Sequence, residues 1–134
     1  MSVPQLYSLG KIAIDSAFYA DCPLSKNALS KVLNKSRPTV WRYEGIAYYS
    51  VQEFKEDYPR LPKELWLVKK SKHDRTVLLS PYQSWVISII KTCQSHLGKK
   101  SAVQQFVKEN QYLFSKNNYH LHLVKLAKIA TAVP

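Results

Sequence analysis

Two helix starts lie eleven residues apart in "SKNALSKVLNKSRPTVWRYE", Ser25 to Glu44, and they restrict the fold more than any other stretch. Ser25 reads as the cap of a helix over 26–33, whose apolar positions are Ala28, Leu29, Val32 and Leu33. "NKS" follows as a tight turn, because Asn34 takes a left-handed backbone at low cost. Ser36 or Arg37 caps the next helix. Pro38 fits its first turn, where the missing N–H has no helical partner in any case. That helix is expected over about 37–44, with Gly45 ending it. Two short helices joined by three residues have helix–turn–helix dimensions.

Charge points to a partner class. The 134 residues carry a formal net charge of +11, which suggests a polyanion, most often nucleic acid. Residues 1–60 contribute +2 and residues 61–134 contribute +9. Within the first part the charges separate: Lys26, Lys31, Lys35, Arg37 and Arg42 sit together with no acid among them. Asp15 and Asp21 precede this window; Glu44, Glu53, Glu56 and Asp57 follow it. Solubility alone is the competing explanation.

Elsewhere the pattern is mostly helical. Leu6, Leu9, Ile12/Ala13 and Ala17 predict a helix over 5–20, stopped near Pro23. "IAYYS" is β-prone, and Ser50 with Glu53 forms a capping-box pattern for a helix over 51–58. "LWLVKKSKHDRTVLLS" has two apolar runs, Leu65–Val68 and Thr76–Leu79, around a polar tip; a β-hairpin is preferred and a helix also fits. Ser80-Pro81 opens a helix over about 81–97, with Gly98 ending it; further helices are expected over about 100–114 and 118–131. No apolar run approaches the roughly 20 residues of a membrane span, and the N-terminus does not read as a secretory signal. Two cysteines make no disulfide framework, so a reducing, cytoplasmic setting is expected.

No catalytic constellation emerges. Ser8-x-x-Lys11 and Ser88-x-x-Lys91 match a common pattern without supporting motifs, and three glycines make no phosphate-cradling loop. Cys93-x-x-His96 and His120-x-His122 invite a zinc reading, but on a helix the two histidines point about 200° apart. A buried cysteine and surface histidines are the preferred reading, and neither cofactor nor metal is expected. Trp66 and Trp85 read as core; Trp41 reads as core or as a nucleic-acid contact.

The helix at 37–44 leaves Arg37, Thr39, Trp41 and Arg42 near a groove, with Val40 turned to the preceding helix. Both arginines are suited to bidentate bonds with guanine or phosphate. Lys26, Lys35 and Ser36, with the hydroxyls of Tyr43, Tyr48 and Tyr49, are candidate phosphate contacts. The basic run Lys69, Lys70, Lys72 and Arg75 is a candidate flanking contact, with a solvated turn as its alternative; Lys99-Lys100 reads as ordinary surface.

"TVWRYE" followed by "AYYSVQEFKE" resembles the MerR-type winged-helix regulators over about residues 24–58. Thr39, Val40, Tyr43 and Glu44 match the family's recognition helix, and Tyr48, Tyr49 and Ser50 match the end of its wing. Phage excisionases carry a similar pattern. The departures are clear: only "GIA" lies between Glu44 and Tyr48, and Ala47 stands at the wing arginine position. The resemblance implies a small, sensor-free repressor of a mobile element, of the kind found among MerR-type repressors of CRISPR-associated transposons.

The combined expectation is a mainly α chain with a small β component. A winged helix–turn–helix module spans 1–60, and a β-hairpin with C-terminal dimerising helices spans 61–134. The expected function is a cytoplasmic, nucleoid-associated homodimeric transcriptional repressor binding double-stranded DNA, with no membrane or small-molecule partner. The alternatives are an excisionase-like DNA-bending factor and a basic RNA-binding or phage-type inhibitor module.

Overall fold

The computed structural model describes residues 3–132, with side chains from 9 to 129. Leu6, Ser8 and the apolar tail from Ala130 onward lie outside the described side chains. The described chain is mainly helical: α1 (Val3–Asp15), α2 (Lys26–Leu33), α3 (Arg37–Ser50), α4 (Trp66–Lys69), α5 (Pro81–Leu97), α6 (Lys100–Glu109) and α7 (Lys116–Ala132). No described helix is long and apolar enough to cross a membrane.

Helix α5 organises the rest. Its start is fixed by local chemistry: the Ser80 hydroxyl accepts from Gln83 N, the Gln83 side chain accepts from Ser80 N, and Pro81 sits in the first turn. From Tyr82 to Ile90 every residue is buried, because α1, α3, α6 and α7 pack around it. A helix enclosed on all sides has only protein partners for its polar groups, and two of them, Ser84 Oγ and Trp85 Nε1, have no hydrogen-bond partner among the described residues. Gln83 donates to Phe54 O at 3.0 Å, and Ser88 Oγ accepts from Phe18 N at 2.9 Å while donating to Trp85 O. Gly98 ends α5 at φ 79°, a conformation that L side chains rarely adopt. Residues on both sides of position 60 contribute to this one core, from Leu9 and Val40 to Phe114 and Tyr119.

Two β expectations meet helix instead. Gly45 does not stop α3, which runs on to Ser50 through "IAYY". Burial of Ile46, Ala47 and Tyr48 outweighs both β-propensity and the roughly 1 kcal/mol that an interior glycine costs. Ser50 is consumed by α3, so the expected 51–58 helix shrinks to a 3-10 turn over Phe54–Asp57, with no side-chain cap at Glu53. Leu65–Val68, expected as a hairpin strand, lies in a 3-10 turn (Lys63–Leu65) running into α4. Among the described residues, β structure is limited to isolated antiparallel pairings of Leu24 with Leu79 and of Arg60 with His73. The segment 59–79 is thus a strap returning along α3, held by Leu61 N to Lys72 O (2.9 Å) and Asp74 N to Pro59 O (2.8 Å).

A Cβ on Gly45 would meet only an Arg75 guanidinium nitrogen at 4.0 Å, an ordinary contact. Gly45→Ala is therefore expected to stabilise the chain by about 0.5–1 kcal/mol. Urea unfolding midpoints check this; a lowered midpoint would mean that the guanidinium cannot make room.

Candidate nucleic-acid interface

Helices α2 and α3 form the pair that the sequence spells out. Ser25 caps α2 by accepting from Ala28 N, and Asn34 closes it with φ 55° and ψ 47°. Ser36 caps α3 by accepting from Thr39 N. Leu29, Leu33 and Val40 meet in the core beneath the turn. Because α3 buries Val40, Tyr43, Glu44 and Ala47 on one side, its opposite strip faces solvent. That strip carries Arg37, Trp41, Arg42 and Tyr49, exposed, with Gly45 between them. Trp41 is 44% exposed and Tyr49 70%. Arg42 donates to Thr39 Oγ1 at 3.1 Å, and Thr39 Oγ1 lies 2.8 Å from Ser36 Oγ, so the cap steadies the guanidinium. Lys35 lies exposed at the turn.

Behind the strip is a charged brace. The Glu44 carboxylate is fully buried. Arg75 reaches it from the strap side-on, with Nε donating to Oε2 at 2.8 Å and a second guanidinium nitrogen donating to Oε1. Tyr58 OH donates to the same Oε2 at 2.8 Å. The Arg75 guanidinium also lies over the rings of Tyr48 (4.4 Å) and Tyr49 (5.7 Å). Hydrogen bonding to Glu44 raises the Arg75 pKa further, and burial together with the neighbouring carboxylate pushes the Tyr58 phenol up. Tyr48 OH sits 2.8 Å from His73 Nδ1 and 3.1 Å from Ser71 Oγ. Burial, with Arg60, Lys55 and Lys72 nearby, holds His73 below its ordinary pKa.

Lys26 is drawn into this brace. It is buried, donates to Arg75 O at 2.6 Å and stands 3.8 Å over the Trp41 ring. Burial lowers its pKa, the Glu44 charge opposing this and that of Arg75 adding to it. Four expected nucleic-acid contacts, Lys26, Tyr43, Tyr48 and Arg75, are therefore structural: Lys26, Tyr43 and Tyr48 are buried, and Arg75 is engaged with Glu44. Tyr48 and Tyr49 also stand on helix α3 and not on a wing strand. Lys35, Ser36, Arg37, Thr39, Trp41, Arg42 and Tyr49 share the α2–α3 turn and the outer strip. Lys69, Lys70 and Lys72 lie exposed on the strap, Lys72 over the Trp66 ring at 5.2 Å.

No family model matches the chain, and no curated protein or solved structure is significantly similar to it. The arrangement must therefore be read from its own chemistry. Cys93 is buried and its thiol pushed up to about 12, while His96 is exposed and turned to Thr92 O at 3.0 Å. Among the described residues no three His, Cys, Asp or Glu side chains converge as metal ligands do. Trp85 is core, but Trp66 is only half-buried on the strap, its Nε1 donating to Leu61 O at 2.8 Å. Glu44 enters the sequence reading only as a motif match and an acid after the basic window, and Tyr58 not at all; their buried bonds to each other and to Arg75 come from the fold. The one signal was an acid placed immediately after a purely basic window.

Proposed function

We propose that the chain is a sequence-specific double-stranded DNA-binding protein, acting as a homodimeric transcriptional repressor without a small-molecule sensor. One observation carries this reading: α3 leaves Arg37, Trp41, Arg42 and Tyr49 on a single exposed strip while its other faces are packed. A helix docked on a major groove needs such a strip, and exposed arginines supply bidentate readout of guanine. The formal charge of +11 adds the attraction to phosphate that any duplex binder requires. The resemblance of "TVWRYE" to MerR-type recognition helices agrees with this, whereas the short chain between Glu44 and Tyr48 leaves no room for a wing of that kind. Nuclease footprinting on the DNA flanking the chain's own gene tests the role. One inverted-repeat site over a promoter is expected; several tandem direct repeats would instead mark an excisionase-like factor, and no protected site would remove the reading.

The second copy is assigned to α7. Beyond His120 this helix exposes Leu121, Leu123, Val124, Leu126 and Ile129. A helix apolar on several faces in water needs a partner. A groove of about 1020 Å³ runs beside it, walled by Ile14, Leu113, Leu126 and Ile129 and edged by Asp15 and Glu109. Leu126→Asp with Ile129→Asp is expected to convert the dimer to a monomer in light scattering and to weaken DNA binding at least tenfold, with the fold retained because both positions are exposed. An unchanged dimer would place the interface elsewhere.

A further inference from the structure

The strap carries an exposed apolar turn that the reading of α3 does not use. Leu67 is 91% exposed and Val68 75% exposed, side by side in the single turn of α4. Neither side chain belongs to the core. The turn is nevertheless closed by local bonds. Trp66 folds back, donating to Leu61 O, with Arg60 and Lys72 over its ring. Lys70 ends α4 in the left-handed region (φ 51°), and Ser71 N closes the turn onto Trp66 O. Beyond it, Ser71 and His73 meet Tyr48 of α3, and Arg75 is locked to Glu44. Two apolar side chains are thus held out on a strap that residues 71–75 tie to the C-terminal half of α3.

The surroundings of the turn are basic. Lys63, Lys69, Lys70 and Lys72 are exposed around it, against Glu64 as the exposed acid. An apolar tip ringed by lysines matches a surface with anionic edges and an apolar interior. A DNA minor groove is such a surface once a base step opens, and apolar side chains entering it unstack the step and kink the duplex. The attachment decides for DNA: the strap is tied to the helix whose outer strip bears Arg37 and Arg42. With α3 in a major groove, the flanking backbone and the adjoining minor groove come to the elements beside α3.

We infer that Leu67 and Val68 form a wedge that enters the minor groove next to the α3 site, unstacks a base step and bends the DNA, with Lys69, Lys70 and Lys72 on the flanking phosphates. This rests on the proposed role of α3, and the test separates the two. Full-length protein is mixed with duplexes enriched from a random-sequence pool, end-labelled for energy transfer and carrying 2-aminopurine at successive steps beside the protected site. The parent chain is expected to shorten the end-to-end distance and brighten one 2-aminopurine position. Leu67→Ser with Val68→Ser is expected to keep its melting temperature and the same protected sequence. It should lose both the bend and the brightening, and bind at least tenfold more weakly. If this variant bends and brightens the duplex as the parent does, the wedge is wrong while the α3 reading stands. If Arg37→Ala with Arg42→Ala binds as well as the parent, the α3 reading falls and the wedge with it. Binding to phosphatidylcholine–phosphatidylglycerol vesicles that the serine variant loses, with DNA bending untouched, would assign the turn to lipid and overturn the inference.

Discussion

Glu44→Ala is expected to destabilise the chain by about 3–5 kcal/mol, because it breaks a buried ion pair from one side. The carboxylate is fully buried and accepts from both Arg75 and Tyr58. Removing it strands a largely enclosed guanidinium and a buried phenol at once. The Arg75 side chain retains 21% exposure, so partial escape to water favours the lower end of that range. Replacing both Glu44 and Arg75 by leucine is expected to be milder than Glu44→Ala, since no charge is then left unpaired. Tyr58→Phe, which removes one donor and no charge, is expected to cost about 1 kcal/mol. Chemical denaturation of the variants measures all three. A loss below about 1 kcal/mol for Glu44→Ala would mean that the brace does not fasten the strap to α3.

The second large effect concerns binding. Arg37→Ala with Arg42→Ala is expected to leave stability within about 0.5 kcal/mol, since both side chains are exposed. Duplex binding should nevertheless fall steeply. A good bidentate arginine contact contributes about 1–3 kcal/mol, so the pair accounts for about 2–6 kcal/mol per half-site, roughly 30-fold to 10⁴-fold in Kd for each protomer's contact. Fluorescence anisotropy at fixed salt reads the loss. A salt series separates the two kinds of contact: lost phosphate contacts flatten the slope, whereas lost base contacts relax sequence preference.

The α2–turn–α3 pair was legible because its determinants are local. Ser25, Asn34, Ser36 and Pro38 act within one helical turn of their own position, and each does in the structure what its chemistry predicts. Ser80-Pro81 and Gly98 bracket α5 for the same reason. The errors lie where distant contacts decide. Gly45 and "IAYY" signal a stop and a strand, but the core claims Ile46, Ala47 and Tyr48 from a helix. Leu65–Val68 and Thr76–Leu79 look like a hairpin by composition. Yet the strap is shaped by Trp66 turning back to Leu61 and by Arg75 reaching Glu44. Likewise, Lys26 and Arg75 read as surface cations, because nothing in their neighbourhood announces an acid 18 or 31 residues away. On the outer strip of α3, Arg37, Trp41 and Arg42 are exposed as their helical spacing implies, and Tyr49 joins them because the helix runs on past Gly45.

The central claim is that the exposed strip of α3 reads duplex sequence. Selection of the full chain against a pool of random duplexes tests it most directly, with the Arg37→Ala, Arg42→Ala variant run in parallel. The parent should enrich one motif made of two inverted half-sites about one helical turn apart, and the variant should enrich nothing above the starting pool. An unstructured pool for the parent, or the same motif for both proteins, would contradict the account.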